Sequence, residues 1–411
     1  MTHVTSTFEI PDVADRGRLR REVGARLRAA MTEHGVDALI LLGNGAVTYA
    51  TGTWWPLADA GLSHVERPVA VVLADDPIPH LFIQYGDIGP FDTGLPEDHL
   101  HPAAYLEFDE GVEQFARFVS QIVSPGATIA VDEMTGAMRR HAPLLFPAAA
   151  PGDAAVVVGA AKVIKTPDEI ATLRTACRIT DEAMVDVQAV LDPGIRQIDL
   201  SAKFTRRAFE LGAVASMLEP IWQVMPHTKA EGVWTTHGDL ALPLLSTERE
   251  LAAGDVLWTD VSINYNGYCS DFGRTWLVGQ EPTRRQQAQF ERWWTILNAV
   301  LDVTRAGSSL ADLSRAAITA AGGVKPWLPH FYLGHSIGVQ AGEMPMIGTD
   351  LGDEHDENYL LRTGMVLVLE PVVWEDGTGG YRSEEIVVVT DDGYIALTDY
   401  PYAPYGPPSL S

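Results

Sequence analysis

Between residues 18 and 36 the chain reads RLRREVGARLRAAMTEHGV, with Val23, Leu27, Ala30 and Met31 three or four positions apart. That spacing puts them on one face of an amphipathic helix. Three short continuous apolar runs follow, at residues 37–43, 68–74 and 79–83, the first of them ended by Gly-Asn-Gly. Bounded by turn residues, they predict buried strands. A helix over FDEGVEQFARFVSQIV then leads into a strand at residues 128–132. Helices and strands thus alternate, and this half reads as α/β.

The stretch FPAAAPGD at residues 146–153 interrupts the pattern, and a domain boundary is placed near residue 160, dividing the chain into 1–160 and 161–411. The helical pattern restarts at Thr166-Pro167-Asp168-Glu169. Thr166 suits an N-cap, Pro167 the first helical position and Glu169 the third, a capping box for a helix reaching Val190. Beyond it the pattern predicts a helix at 198–211, strands at 256–263 and 274–278, helices at 283–305 and 309–321, and strands at 366–373 and 384–390. This half reads as α+β with antiparallel strands.

Composition adds bounds. A chain of 411 residues, 46% apolar and 20% charged, is composed like a soluble globular protein and long enough for two cores. A formal net charge of −26 disfavours nucleic acid and anionic membrane surfaces as partners. The first residues lack the apolar core of a signal peptide, and nowhere do about 18 consecutive apolar residues occur, so membrane insertion is not expected. Two cysteines, Cys177 and Cys269, make no disulfide framework, and the expected compartment is the reducing cytoplasm.

Chemistry concentrates in the second half, where Asp260, Asp271, His335, Glu370 and Glu384 follow one another in strand-like or Gly-flanked contexts. Four carboxylates and one imidazole are a ligand set for a pair of hard or borderline divalent ions. Asp260 and Asp271 flank an Asn266-Gly267 turn, the strongest short hairpin signal, which sets them on neighbouring antiparallel strands. His335 stands in Gly334-His335-Ser336-Ile337-Gly338, where small neighbours let other groups approach the ring. Glu370 ends an apolar strand, a place where a carboxylate needs a partner or a cation. Alternation puts Arg382 and Glu384 on one strand face, which a surface salt bridge would equally explain.

The blocks GDVLWTDVSINYNGYCSDFGRT, GHSIG, GMVLVLEPVVW and YRSEEIVVVTDDG together resemble the pita-bread-fold metallohydrolases, the family of methionine aminopeptidase, prolidase, aminopeptidase P and creatinase. KTPDEIATLRTACRITDEAM resembles that family's linker helix, and DALILLGNGAVTYATG resembles the creatinase and prolidase type of N-terminal domain. The resemblance implies an α/β creatinase-like N-terminal domain followed by an α+β pita-bread catalytic domain. It implies two divalent metal ions, Mn, Co, Fe or Zn. Asp260 would bind one ion and His335 the other, Asp271 and Glu384 would bridge them, and Glu370 would bind the second ion and exchange protons with a bridging hydroxide. The implied reaction is hydrolysis of an amide or C–N bond in a dipeptide or other small molecule. A homodimer is also implied, with Trp54 and Trp55 of one subunit as candidates for a lid over the partner's site.

Two departures stand out. Where the family's peptidases carry a histidine before Glu-x-Pro, this chain has Gly342 before Glu343-Met344-Pro345, and the loop at residues 242–255 lacks a second expected histidine. Xaa-Pro cleavage is therefore not assumed. His330 and His237, with His227 nearby, are the candidate replacements. Tyr332 is a candidate proton donor, and Trp222, Trp234, Tyr332 and Trp374 are candidate pocket walls. Arg382 either binds a substrate carboxylate as a planar fork or orients Glu384, and the second reading is favoured. Two other functions are weighed. A lyase acting on a small carboxylate such as dimethylsulfoniopropionate would need acidic residues where Gly342 and Ser262 stand. A non-catalytic binding module would have shed ligands that this chain retains.

Overall fold

In the computed structural model of the protein, helix α1 (Arg16–Glu33) buries Leu19, Val23, Leu27, Ala30 and Met31, the face that the spacing predicted. Asp15 caps it, its side chain accepting from the Arg18 amide at 2.9 Å. The structure describes residues 9–54, 67–83, 93–225, 246–328, 331–375 and 379–406. The chain forms two compact units, one from Asp15 to Thr166 and one from Pro167 onward that includes the segment before Asp15.

The first unit is built on strands β1 (Ala38–Leu41), β2 (Val69–Leu73), β3 (His80–Phe82), β4 (Leu100–His101), β5 (Ile129–Val131) and β6 (Gly152–Asp153), in the order β4-β3-β2-β1-β5-β6. The sheet is mixed: β1 pairs antiparallel with β2 and β2 with β3, whereas β1–β5, β3–β4 and β5–β6 are parallel. The short link between β2 and β3 has no room for a crossover helix, so those two must run antiparallel. Helices α2 (Asn44–Thr51), α3 (Asp109–Ile122), the short α4 (Gly136–Arg140) and α5 (Ala142–Leu145), and α6 (Ala154–Lys162) complete the unit. Val112, Phe115, Ala116 and Val119 of α3 pack on the sheet residues Ile40, Val71 and Val131 in one core. The Gly-Asn-Gly that ends β1 also starts α2, with Gly43 at the N-cap, and Asp132 accepts from the Leu42 and Gly43 amides at 2.8 and 2.9 Å to fasten the turn.

The second unit opens with α7 (Pro167–Gln188) and α8 (Gln197–Glu210), which pack on a sheet of β7 (Ala215–Val224), β8 (Val256–Tyr265) and β10 (Phe272–Leu277) in the order β10-β8-β7. The two-residue strand β9 (Tyr268–Cys269) joins β8 through Asn266 and Gly267, whose φ angles of 51° and 89° are those a type I′ hairpin turn requires. Strand β7 was not legible in the sequence, because Pro220 and two register shifts break its alternation. Helices α9 (Arg284–Val303) and α10 (Leu310–Ala320) follow, each started by a capping box, Thr283 with Gln286 and Ser309 with Asp312. A second sheet comprises β11 (Gly334–Ser336), β12 (Glu343–Ile347), β13 (Val366–Leu369), β16 (Glu385–Val389) and β17 (Tyr394–Ala396), ordered β12-β11-β13-β16-β17. Helix α11 (Asp353–Asn358) lies between β12 and β13 in sequence, and β14 (Val372–Glu375) pairs with β15 (Gly379–Arg382) as a separate ribbon.

The single strand expected at 366–373 is thus two, parted at Glu370-Pro371 where the chain leaves the five-stranded sheet for the ribbon. It returns at Ser383-Glu384, since β13 and β16 pair antiparallel just as β14 and β15 do. Arg274 of β10, 1% exposed, ties these returns to the first sheet. Its guanidinium donates to the carbonyls of Gly273 at 3.0 Å, Tyr400 at 3.1 Å and Glu384, and to the Glu385 carboxylate at 2.8 Å. Tyr402 and Thr398 hydroxyls donate to the same carboxylate. Cys177 and Cys269 are buried free thiols, and among the described residues no helix is long and apolar enough to cross a membrane.

Removing one member of so buried an ion pair leaves the other charged and unpaired. Arg274→Met is expected to destabilise the protein by about 3–5 kcal/mol in urea unfolding, and the double variant R274M/E385L by clearly less, because it strands no charge.

Candidate metal centre

Each of the five sequence-predicted ligands sits within a strand of the second unit or at the end of one. Asp260 lies within β8 and His335 within β11, whereas Asp271 precedes β10, Glu370 follows β13 and Glu384 precedes β16. At three of the five the backbone departs from its ladder, so that the side chain is aimed inward. Glu370 is held by its own amide, which donates to the Leu333 carbonyl at 3.0 Å, and Glu384 by its amide to the Gly273 carbonyl at 2.9 Å. Asp271 accepts from the Phe272 amide at 3.0 Å.

Oxygens of Asp260, Asp271 and Glu384 lie within 4.8 Å of one another. Nε2 of His335 stands 3.5 Å from Asp271 Oδ2 and 3.4 Å from Glu370 Oε1. Its Nδ1 is 2.9 Å from the Ser336 carbonyl oxygen, which only accepts, so Nδ1 carries a proton and Nε2 is the atom presented to the carboxylates. Glu370, Glu384 and Arg382 are at most 3% exposed, and Asp260 and Asp271 keep partial access to solvent.

Arg382 closes the cluster. It donates to Glu370 through Nε at 3.0 Å and through Nη2, lies 2.7 Å from Glu384 Oε1 and 3.4 Å from Asp260 Oδ2, and stacks its guanidinium 4.2 Å above the Trp258 ring. The surface salt bridge that the sequence allowed is therefore a buried network. The guanidinium spends its contacts on three site carboxylates and an indole, and in this arrangement it orients the carboxylates rather than offering a free fork. Trp258 went unnoticed in the sequence although it stands two before Asp260, on the same strand face.

The two glycines around His335 act differently from expectation. A Cβ at Gly334 would meet the Val368 carbonyl oxygen at 2.3 Å, and one at Gly338 would meet Glu343 Oε2 at 2.7 Å. They allow close packing of β11 on β13 and on the Glu343 carboxylate, and not approach to the imidazole. Gly273 is the glycine that matters to a ligand, since a Cβ there would come within 2.5 Å of Glu384 Oε1.

The electrostatics show what the cluster lacks. Burial, followed by the repulsion of neighbouring carboxylates, raises Asp271 to about 7, and burial raises Asp260 to about 6 against the pull of Arg382. Burial drives Glu384 well above the carboxylate range, and among the described residues neither of its oxygens receives a hydrogen bond, the 2.7 Å approach of Arg382 being an ion pair at an angle unsuited to one. Burial works against charge on Glu370 as well, but Arg382 and His335 outweigh it and hold that residue below its usual range. For His335, burial is outweighed by the hydrogen bond and charge of Glu370, lifting it to about 9. Two buried acceptor oxygens with no donor, beside two carboxylates pushed toward protonation, make a site that cations fit.

Tyr332 reaches the same place: its ring stands edge-on to His335, centroids 5.2 Å apart, and burial with the charge of Glu370 keeps the phenol protonated. The other candidates part company. Trp222 is a core residue whose indole donates to Ser201 Oγ at 2.7 Å, and Trp374 packs against Gly380 on the ribbon. Trp54 lies half-buried in the first unit just past α2. Gly342 is exposed, and a Cβ there would meet only the Met346 methyl, at 3.7 Å. His227, Trp234, His237, His330 and Trp55 fall outside the described residues.

The model of metallopeptidase family M24 matches residues 171–391, and that of the creatinase/prolidase N-terminal domain matches residues 25–163. An Xaa-Pro dipeptidase of Pyrococcus furiosus is 28% identical over 239 residues, 58% of this chain and 63% of that protein. The chain spans about three fifths of the length of the curated relatives it matches first. Among solved structures, a prolidase from Thermococcus sibiricus superposes with a TM-score of 0.73 at 21% identity, covering 92% of this chain and 96% of that one. An Xaa-Pro dipeptidase from Bacillus anthracis gives 0.69 at 22%, covering 92% and 98%. The two-domain architecture expected from the sequence, a creatinase-type N-terminal domain before a pita-bread domain, is the one found.

Two outcomes follow for the site. Protonation of Asp260, Asp271 and His335 in the metal-free protein contributes stability that is complete at low pH and lost as pH rises through about 6, 7 and 9 respectively. Glu370, with its lowered value, acts in the opposite sense. Because a cation needs carboxylates and Nε2 free of protons, the rise in melting temperature on adding Mn or Zn is expected to be small at pH 5 and to grow toward pH 8. A pH-independent increment would contradict the assignment. Gly273→Ala is expected to displace Glu384 and weaken metal binding by at least roughly 10-fold, measured by titration, with the fold retained by circular dichroism.

Proposed function

The chain belongs to metallopeptidase family M24, and from that premise we propose that it is a dinuclear metal-dependent hydrolase of dipeptides or similarly small amides. The observation that carries this reading is the convergence of Asp260, Asp271 and Glu384 oxygens within 4.8 Å, next to His335 Nε2 and with the Glu384 oxygens undonated. In it Asp260 would hold one ion and His335 with Glu370 the other. Asp271 and Glu384 would serve both, a role that the position of Asp271 near both Asp260 and His335 supports. Mn, Co, Fe and Zn all suit a set of carboxylates with one imidazole.

When bound, such a pair of cations supplies Lewis acidity toward an amide carbonyl and acidifies water. The remaining work falls to the side chains. Glu370, kept ionised by Arg382 and His335, is the group able to take a proton at neutral pH and return it to a leaving amine. Arg382 holds the Glu370, Glu384 and Asp260 carboxylates in fixed orientation, a task for which its planar fork and its stacking on Trp258 are suited. Tyr332, protonated and beside His335, is placed to donate to an oxygen that gains charge. Gly342 leaves open space where relatives of this type present an imidazole, so specificity for proline is not part of the proposal. A homodimer in the cytoplasm, with Trp54 and Trp55 near the partner's site, belongs to the same reading and is checked by mass in solution.

The test is metal analysis joined to an amine-release screen over Xaa-Pro dipeptides, other dipeptides and creatine-like compounds. About two metal ions per chain and amine release are expected. Asp271→Ala and Glu384→Ala should each lose metal and turnover together, since each would serve both ions. Metal and turnover both retained in either variant would refute the dinuclear centre, and metal without amine release from any compound would point instead to elimination from a small carboxylate.

A further inference from the structure

The first unit contains a second cluster of metal-ligating side chains, far in sequence from the first. Strand β3 at the rim of its sheet carries His80, the adjacent edge strand β4 carries His101, and His99 immediately precedes β4. Asp76 sits in the turn between β2 and β3, set by its Oδ1 accepting from the Ile78 amide at 2.9 Å. The rings of His80 and His99 are stacked, centroids 4.3 Å apart and planes 8° from parallel. One donor atom each from Asp76, His80 and His99 lies within 4.8 Å of the others.

We propose that Asp76, His80 and His99 form a binding site for a single borderline transition-metal ion such as Zn, Co, Ni or Cu, separate from the carboxylate-rich centre. Two imidazoles with one carboxylate are donors for such ions, whereas Ca and Mg take oxygen ligands. His101 orients the site from behind. Its Nε2 is 3.0 Å from His80 Nδ1, and the Phe118 ring packs against both, so the tilt of the His80 ring is set by neighbours in the manner of a ligand supported from outside. A second observation points to a ligand: His99 Nδ1 is buried and has no hydrogen-bond partner among the described residues.

The experiment compares the full-length protein with Asp271→Ala, His99→Gln and Asp76→Asn, each dialysed against micromolar Zn or Cu and analysed for metal content. Wild type is expected to hold one ion more than His99→Gln and Asp76→Asn, and Asp271→Ala is expected to keep that ion. Copper bound to the Asp271→Ala protein should show imidazole nitrogen couplings in its electron paramagnetic resonance spectrum, and the double variant D271A/H99Q should lose them. His99→Gln and Asp76→Asn change half-exposed residues, and their hydrolytic rate should match wild type. Equal metal content in wild type and His99→Gln, or no metal on Asp271→Ala, would overturn the proposal and leave the cluster as edge packing. Because the readout is taken in a variant whose first centre is disabled, its result is independent of whether the protein is a hydrolase.

Discussion

Four carboxylates held out of water beside a single guanidinium and a single imidazole repel one another more than those two cations can offset. Asp260 and Asp271 respond by shifting toward protonation, and Glu384 more so, while Glu370 stays charged because Arg382 and His335 both lean on it. The remainder of the second unit is arranged to hold this unfavourable cluster in place. Backbone amides clamp Glu370 and Glu384, Trp258 supports the Arg382 guanidinium, and the Arg274 network locks the Glu384 carbonyl to β10.

That arrangement explains why Asp271, Glu370 and Glu384 occur where strands begin or end. A side chain inside a regular ladder alternates between two faces, and each face is already committed to packing. At Glu370-Pro371 and Ser383-Glu384 the chain passes between the five-stranded sheet and the two-stranded ribbon, and there a carboxylate can point into the space between them. Pro371, lacking an amide proton, suits the break, and its carbonyl is taken by the Trp293 indole at 2.8 Å. Small residues serve the same end, since Gly273 leaves room for Glu384 and Gly334 lets β11 close on β13.

The two units carry metal-ligating side chains of different character. The second offers mostly oxygen donors, buried and charged, in a cluster that needs cations to relieve repulsion. The first offers imidazoles at a sheet edge, in a cluster where the cost is an unsatisfied nitrogen rather than an accumulation of buried carboxylates.

Much is legible in the chain of residues alone. The amphipathic face of α1, the apolar strands β1, β2 and β3, the Asn266-Gly267 hairpin and the five donor residues in order all follow from periodicity, turn chemistry and residue type, which are local properties. Strand β7 was hidden because Pro220 interrupts its alternation, and the break at Glu370 was read as continuous strand because apolar residues flank it on both sides. Residue type and local pattern are enough for the five candidate donors, the two-part organisation and the departure at Gly342. That Arg382 contacts three carboxylates at once, that Trp222 belongs to the core and that Gly273 makes room for Glu384 come from the packing of distant segments. Those depend on contacts between segments as much as 122 residues apart, as Arg382 and Asp260 are, and the distance between such segments is set by how the sheets pack and not by any pattern within either one.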